Sequence, residues 1–275
     1  MLFRSWRHTS SGLTIAQDTD VPTGFRYSAK LVGTSDNSFA QRIESANSTR
    51  LVSQKVTLSF YAKRTSGSGA LDARFYYPSA ADNYASVTQI GSTIVVSNSP
   101  SSSWTLYKAT ITLPANVSNG LMVLINNVGA STTFITGVQL EVGDTATPFE
   151  FESFADTLRK CQRYYRRWTV SDAVGTWFAS IPPGYPASAS SAYFTISLNP
   201  EMRIAPALDA YANLCVYRVA AASVITGLTV SASDKTQQGF LLLTQKQSAF
   251  TIGEVIQLIG TSGAGSSYLS LTAEL

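Results

Sequence analysis

A handful of aromatic side chains stand where they could meet a ligand instead of a core. Tyr76 and Tyr77 are adjacent, so on an extended chain one of them must face away from the interior. Tyr84 lies in the polar stretch 79–86 beside Asp82 and Asn83, the best single position for a loop site. Trp6, Trp104 and, further on, Tyr185, Tyr211 and Tyr217 complete the set. The chemistry open to such rings is stacking on the apolar face of a pyranose, with neighbouring amides and carboxylates taking the hydroxyls. Core packing is the competing role for Trp104 and for one of the two adjacent tyrosines.

Catalytic chemistry finds less support. The chain has a single histidine, His8, with no serine or cysteine nucleophile signature near it, which speaks against a Ser-His-Asp arrangement and a histidine-based zinc site. No Gly-rich phosphate loop and no cofactor motif is present. A glycosidase needs only two carboxylates, yet the 17 acidic residues are scattered over turns and one helix start, and no spacing singles out a pair. The expectation is a protein without catalysis, cofactor or metal.

The elements that must carry these side chains are mostly strands. Alternating apolar segments occur at 25–32, 39–43, 55–63, 71–77, 93–96, 105–113, 121–126 and 134–142, separated by clusters of Gly, Ser, Asn, Asp or Pro. Short strands with no helical period among them indicate an antiparallel sandwich over residues 1–150. After Pro148 the period changes. Phe154, Leu158, Cys161, Tyr165 and Trp168 follow at steps of four, three, four and three, the seam of a short amphipathic helix with Ser153 as its N-cap. Acidic Glu150, Glu152 and Asp156 precede basic Arg159, Lys160, Arg163, Arg166 and Arg167, which suits the helix dipole. A helix this short is marginal alone, so the seam is expected to pack on a β domain or on copies of itself. Residues 151–188 then form a helix and linker, with the Pro-rich 181–186 as a connection. Strand-like segments at 192–198, 213–219, 228–230, 239–243, 254–259 and 268–275 make a second β domain over 189–275.

Composition fits an all-β chain of two sandwich-like domains. Charged residues are only 13% of 275, and the formal net charge is +3. The basic run 159–167 is read as a solvated helix flank, since nucleic-acid binding asks for a basic face interleaved with aromatics. Cys161 and Cys215 are too few for a disulfide framework, and Cys161 is expected as a buried thiol on the seam. No apolar run approaches a membrane span, and Met1–His8 lacks the apolar stretch of a signal peptide.

Particular runs carry a resemblance. Gln139-Leu140-Glu141-Val142-Gly143, then Ala146-Thr147-Pro148-Phe149-Glu150, then Cys161-Gln162-Arg163-Tyr164-Tyr165 resemble a junction in bacteriophage tail-fibre and receptor-binding proteins. Residues 17–27 and 56–60 resemble the carbohydrate-binding-module-like jelly roll of the same proteins, and 268–275 is similar to their C-termini. The resemblance implies a jelly roll at 1–150, a helix that helps align three chains, and a C-terminal β head buried near a threefold axis. It implies host attachment through multivalent saccharide contacts at Tyr76, Tyr77, Asp82, Asn83, Tyr84, Trp104 and Tyr185. The implied partners are the chain itself as a homotrimer, host polysaccharide or lipopolysaccharide, and other tail or baseplate proteins, with no nucleic acid and no membrane insertion. The implied setting is the distal fibre of a virion, made in the host cytoplasm. In related modules a calcium ties the first strand to the last, for which Asp18, Asp20 and Glu141 offer oxygens, although turn capping is the simpler role for Asp18 and Asp20. Two other readings stay open: a structural virion component such as a decoration or adaptor protein, and a polysaccharide depolymerase, whose usual coiled repeats are missing here. Such fibres carry an N-terminal docking segment, whereas the strand pattern here begins almost at Met1, as in the distal part of a longer fibre or a compact protein attached differently.

Overall fold

A computed structural model describes residues 6–8, 12–127, 129–170, 178, 181–219, 223–226, 229–246, 249–260 and 267–273. The chain divides into two compact units, Met1–Thr157 and Leu158–Glu274. Both are built of antiparallel strands, as an all-β sandwich reading requires.

In the first unit the strands are β1 (Trp6–His8), β2 (Leu13–Asp18), β3 (Ser28–Gly33), β4 (Asn37–Ile43), β5 (Lys55–Gly67), β6 (Leu71–Ala80), β7 (Asn83–Gln89), β8 (Ile94–Ser97), β9 (Thr105–Thr112), β10 (Leu121–Asn127) and β11 (Ser131–Val142), with a single-turn α1 (Ser45–Ser48) after β4. Two sheets result, one ordered β1-β4-β10-β6-β7 with β8 also on β6, the other β2-β3-β11-β5-β9. This is a jelly-roll-like sandwich. Strand alternation builds its core: Val56, Leu58, Phe60 and Ala62 of β5 meet Leu71, Ala73 and Phe75 of β6, all buried. Each such Leu or Phe contributes about 1.5–3 kcal/mol. The segments expected from the sequence fall on β3–β6 and β8–β11. The short β1, β2 and β7 went unread, because they are edge or near-edge strands without a full apolar alternation.

The same alternation turns Arg64 of β5 inward, where it is buried. Its guanidinium donates to Thr133 Oγ1 at 3.3 Å, to Ala70 O at 3.4 Å, and to Gly69 O and Asn127 Oδ1. With a neutral oxygen on each of its three nitrogens, the charge costs less than it would unpartnered, and burial still pulls the guanidinium below its usual range.

The 139–150 run forms a strap over the outward face of the second sheet. Gln139 Oε1 accepts from Glu150 N at 2.8 Å, Glu141 Oε2 accepts from Thr147 N at 3.2 Å, and Thr147 Oγ1 also donates to Glu141. The bond from Thr147 is the main reason the Glu141 carboxyl lies below its ordinary range. Thus held, Phe149 and Phe151 close on Phe25, with ring centroids at 5.3 and 5.2 Å, and Phe25 meets Tyr61 at 5.5 Å. Gly137 lies beneath, at φ +59°, where a Cβ would come within 2.8 Å of Phe25 Cζ.

α2 spans Phe154–Gln162 and straddles the division between the units. Ser153 caps it: Asp156 N donates to Ser153 Oγ at 3.2 Å, and that hydroxyl donates back to Asp156 Oδ2 at 2.6 Å. The helix ends at Gln162, so the expected seam is shorter than the sequence implied. Tyr165 and Trp168 belong instead to a strand, β12 (Tyr165–Val170), which pairs with the closing strand of the second unit. β-branched and aromatic residues from Tyr164 onward favour extended chain, and as a strand Tyr165 and Trp168, three apart, point to opposite faces instead of sharing one seam. Cys161 is half-buried and in no disulfide, not fully enclosed.

The second unit continues with β13 (Tyr185–Ser188), β14 (Ser191–Ser197), β15 (Ala207–Ala212), β16 (Leu214–Arg218), β17 (Ser223–Ile225), β18 (Thr229–Thr236), β19 (Gly239–Gln245), β20 (Ile256–Gly260) and β21 (Ser267–Thr272). They make sheets ordered β12-β21-β15, β13-β14-β19-β18 and β17-β16-β20. Phe194, Leu242, Val216, Leu258, Leu269 and Leu271 fill the core, with Trp168 packed against it. The expected linker to residue 188 is therefore not separate, since β12 and β13 are strands of this unit. Pro186 is tolerated because β13 is an edge strand. Leu228, Glu274 and Leu275, included in expected strands, lie outside the described residues.

Gly137→Ala should lower the unfolding free energy by about 1–3 kcal/mol, since it combines a left-handed backbone with a clash against Phe25. An unchanged urea midpoint would show that the strap does not press on this position.

Candidate functional site

Leu71, Ala73 and Phe75 of β6 enter the core, so Asp72, Arg74 and Tyr76 line the outward face of the first sheet. Register then lays the face out in rows. Arg42, Met122, Tyr76 and Gln89 form one across β4, β10, β6 and β7; Ala40, Leu124 and Arg74 form the next; Ser38, Asn126, Asp72 and Val95 form the third, reaching β8. Ala40, Tyr84, Met122 and Leu124 make a buried floor, against which Tyr76 and Val87 pack, while Arg42, Arg74, Tyr76 and Gln89 are half-buried around it.

The polar side chains of this face are fixed on one another. Asp72, 3% exposed, accepts from Arg74 Nε at 2.9 Å, from Arg74 Nη2 at 3.1 Å and from Asn126 Nδ2 at 3.0 Å. Ser38 Oγ donates to Asn126 Oδ1 at 2.8 Å, and Tyr76 OH donates to Gln89 Oε1 at 3.2 Å. The hydrogen bond to Asp72 raises the Arg74 guanidinium further above its ordinary value. A forked pair of this kind holds both groups in one geometry. The result is a ring, a guanidinium, an amide and a carboxylate, pre-positioned over an apolar floor. That combination suits a polyhydroxylated ligand with one apolar face.

The sequence candidates separate. Tyr76 belongs to this face, while Tyr77 turns inward and packs on the main core, so the pair divides as strand alternation demands. Tyr84 is a correction: it sits on β7, not in a loop, and is 7% exposed. Its phenol donates to Ile43 O at 2.6 Å and Leu121 O at 3.2 Å, and burial pushes its pKa strongly upward. Gly120 leaves room for it, since a Cβ there would lie 2.4 Å from the Tyr84 oxygen. Asp82, at φ +57°, occupies the β6–β7 turn and accepts from Ser45 N at 2.7 Å, and Asn83 Oδ1 accepts from Ala85 N at 3.2 Å. Both shape turns. Tyr185 is 53% exposed on the second unit, its ring 6.0 Å from that of Tyr193.

Trp104 lies on the outward side of the opposite sheet, half-buried. There Phe134 is flanked across the strands by Lys30 and Lys63, with both ammonium groups over its ring at 5.5 and 5.3 Å. Trp104 meets Phe134 edge-on at 6.5 Å and donates from Nε1 to Asp20 Oδ1 at 3.3 Å, while Lys63 pairs with Asp20 Oδ2. The bond from Lys63, with that from Trp104 and the charges of Lys63 and Lys30, holds the Asp20 carboxyl below its usual range. Asp18 Oδ1 caps Asp20 N at 2.9 Å, the turn-capping role. With Asp20 on Lys63 and Glu141 in the strap, the three carboxylates considered for calcium have separate tasks. Among the described residues no group of three or more acidic, histidine or cysteine side chains could hold a metal ion.

Sequence reasoning missed Asp72, Arg74, Arg42, Gln89, Ser38 and Asn126. The alternation of 71–77 placed Asp72 and Arg74 beside Tyr76, a usable signal. Asn126 and Ser38 join only through register, which no local pattern encodes.

No protein-family model matches the chain, and no curated protein sequence matches it. Solved structures that it resembles include the enzymatically active domain of tailspike protein 4 of bacteriophage CBA120, at 16% identity and a TM-score of 0.39, covering 51% of this chain and 20% of that one. The CBM22-2 xylan-binding domain of Paenibacillus barcinonensis Xyn10C is similar at 12% identity and a TM-score of 0.38, covering 50% and 92%. The C-terminal family 22 carbohydrate-binding module of Clostridium thermocellum Xyn10B follows at 10% and 0.40, covering 52% and 89%.

Tyr84→Phe should cost about 1–2 kcal/mol, because two buried carbonyls lose their shared donor; chemical denaturation checks this. Asp20 sets a pH expectation. Its carboxyl is depressed in the folded state, so its stabilisation is present above the unfolded value near 3.9 and is lost as pH falls through the lower folded value. Asp20→Asn should remove that acid step from a thermal-midpoint profile taken below about pH 4.

Proposed function

We propose that this chain is a saccharide-binding attachment protein of a phage tail fibre, and that its first-sheet face takes the glycan. One observation carries the reading: Asp72, Arg74, Asn126 and Ser38 are locked together by hydrogen bonds beside Tyr76, above a floor of Ala40, Met122 and Leu124. Side chains fixed before binding lose little entropy on binding, and a ring beside a guanidinium and an amide can take one sugar by stacking and by hydroxyl contacts at once. The virion setting rests on the sequence resemblance of the 139–165 junction and of 17–27 and 56–60 to tail-fibre and receptor-binding proteins.

Attachment by weak sites requires several copies. What supports a homotrimer is α2. None of its residues is buried, and Phe154, at i, is 71% exposed, with Leu158 at i+4 and Cys161 at i+7 on the same side. A helix of nine residues is marginal in water unless its apolar stripe is covered. In this proposal three copies cover it, and the partners beyond the trimer are host polysaccharide or lipopolysaccharide and other tail proteins. The chain binds without cleaving: the acid of the face, Asp72, is tied to Arg74 and Asn126 and has no second carboxylate in its rows.

On a glycan array the wild type should retain host-surface saccharides, and Tyr76→Ala should weaken retention about tenfold, roughly 1.4 kcal/mol. Equal retention by Tyr76→Ala would remove the site. Incubation with the retained polysaccharide should release no reducing ends. Light scattering after size exclusion should give three chains, and Phe154→Asp with Leu158→Asp should give one; a monomeric wild type would end the trimer.

A further inference from the structure

The opposite sheet carries an open depression of about 340 Å³ lined by Gln17, Asp18, Thr19 and Tyr27, where β2 ends and β3 begins. Gln17, Thr19 and the Tyr27 phenol make no side-chain hydrogen bond among the described residues. Their capacities differ usefully: an amide that donates and accepts, a hydroxyl that does both, and a phenol that does both on a half-buried ring. Asp18 adds a fixed acceptor, its Oδ1 on Asp20 N at 2.9 Å and its Oδ2 3.8 Å from Lys30 Nζ. The Arg26 guanidinium stands 5.2 Å over the Tyr27 ring.

The loop that presents these groups is anchored from behind. Ser28 Oγ donates to Asp20 O at 2.6 Å, and Asp20 is held by Lys63 and by Trp104 Nε1 at 3.3 Å. Phe25 N donates to Pro22 O at 3.2 Å, and its ring is clasped by the strap. Trp104, Lys63 and Asp20 thus act as positioning residues for a site they do not line. A depression with several unspent donors and acceptors on an anchored loop is matched by vicinal hydroxyls, each of which donates and accepts. Asp18 disfavours an anionic ligand, and Lys30 already answers its charge, which disfavours a free cation.

We propose that this depression is a second binding site, for a neutral saccharide residue, so that one sandwich carries two glycan contacts on opposite sheets. The proposal rests on the first-sheet reading only for its bivalence; the second site stands on its own lining.

The test is residue-resolved NMR on the full chain, with D-glucose, D-galactose, N-acetyl-D-glucosamine and, separately, calcium chloride as probes, each titrated to about 50 mM, where contacts as weak as millimolar are visible. A neutral sugar should shift the amides of Gln17, Thr19 and Tyr27 saturably. The Gln17→Ala, Thr19→Ala double variant, altering two exposed side chains, should weaken that response at least fivefold with an unchanged melting temperature. Tyr76→Ala should leave it intact. Asp20→Asn, acting only through loop position, should weaken it less, and Asp20→Glu should restore part of the loss. No sugar shift at these amides, or a shift with calcium alone, overturns the proposal. Shifts confined to the Tyr76 rows overturn it while the first-sheet reading survives; shifts confined to Gln17, Thr19 and Tyr27 sustain it and end the first-sheet reading.

Discussion

Strand alternation on β6 is the constraint from which the rest of the first unit follows. Once Leu71, Ala73 and Phe75 are committed to the core, Asp72, Arg74 and Tyr76 have one face left to occupy. A slip of one residue would bury the Arg74 guanidinium among leucines and valines, a cost of several kcal/mol for an unpaired charge. Register is therefore fixed by what cannot be buried as much as by what can. The antiparallel pairing of β10 on β6 then sets Asn126 opposite Asp72 and Met122 opposite Tyr76, and the face is complete.

Two ways of handling buried polarity appear in the same sandwich. On the first sheet Asp72 and Arg74 neutralise each other, and Asn126 uses the remaining carboxylate capacity. In the interior Arg64 is wrapped by neutral oxygens, those of Thr133, Asn127 and the carbonyls of Gly69 and Ala70. The first arrangement leaves a polar surface facing solvent. The second closes the end of the core where the turn between β5 and β6 must expose backbone carbonyls, so that the arginine satisfies groups the sheet cannot.

The strap links fold and function. Gln139 and Glu141, outward residues of β11, fold the chain after Gly143 back on its own sheet and set Phe149 and Phe151 against Phe25. This stiffens the loop that bears the second depression and fixes where the chain leaves the sandwich, ahead of α2. Beyond it, α2 contributes a capped helix with no buried residue, an element whose stability must come from a surface outside its own turns.

The sequence alone determined the all-β class, most strands of both units, the Ser153 cap and the start of α2, because alternation, turn residues and capping are local and leave a local trace. It determined that one of Tyr76 and Tyr77 must face out. Which one did so was settled by the sheet that β6 joined. The sequence misread Tyr84, whose polar neighbours resembled a loop, because its burial arises from carbonyls of Ile43 and Leu121, far away in the chain. It carried the helix through Tyr165 and Trp168, because two residues are too few to tell a helical period from a strand, and pairing with β21 decided the matter. The outward face of the first sheet was set by tertiary structure: Ser38, Asp72 and Asn126 become neighbours only through strand register, and register is fixed by burying one face of every strand at once, which no short stretch of sequence can state.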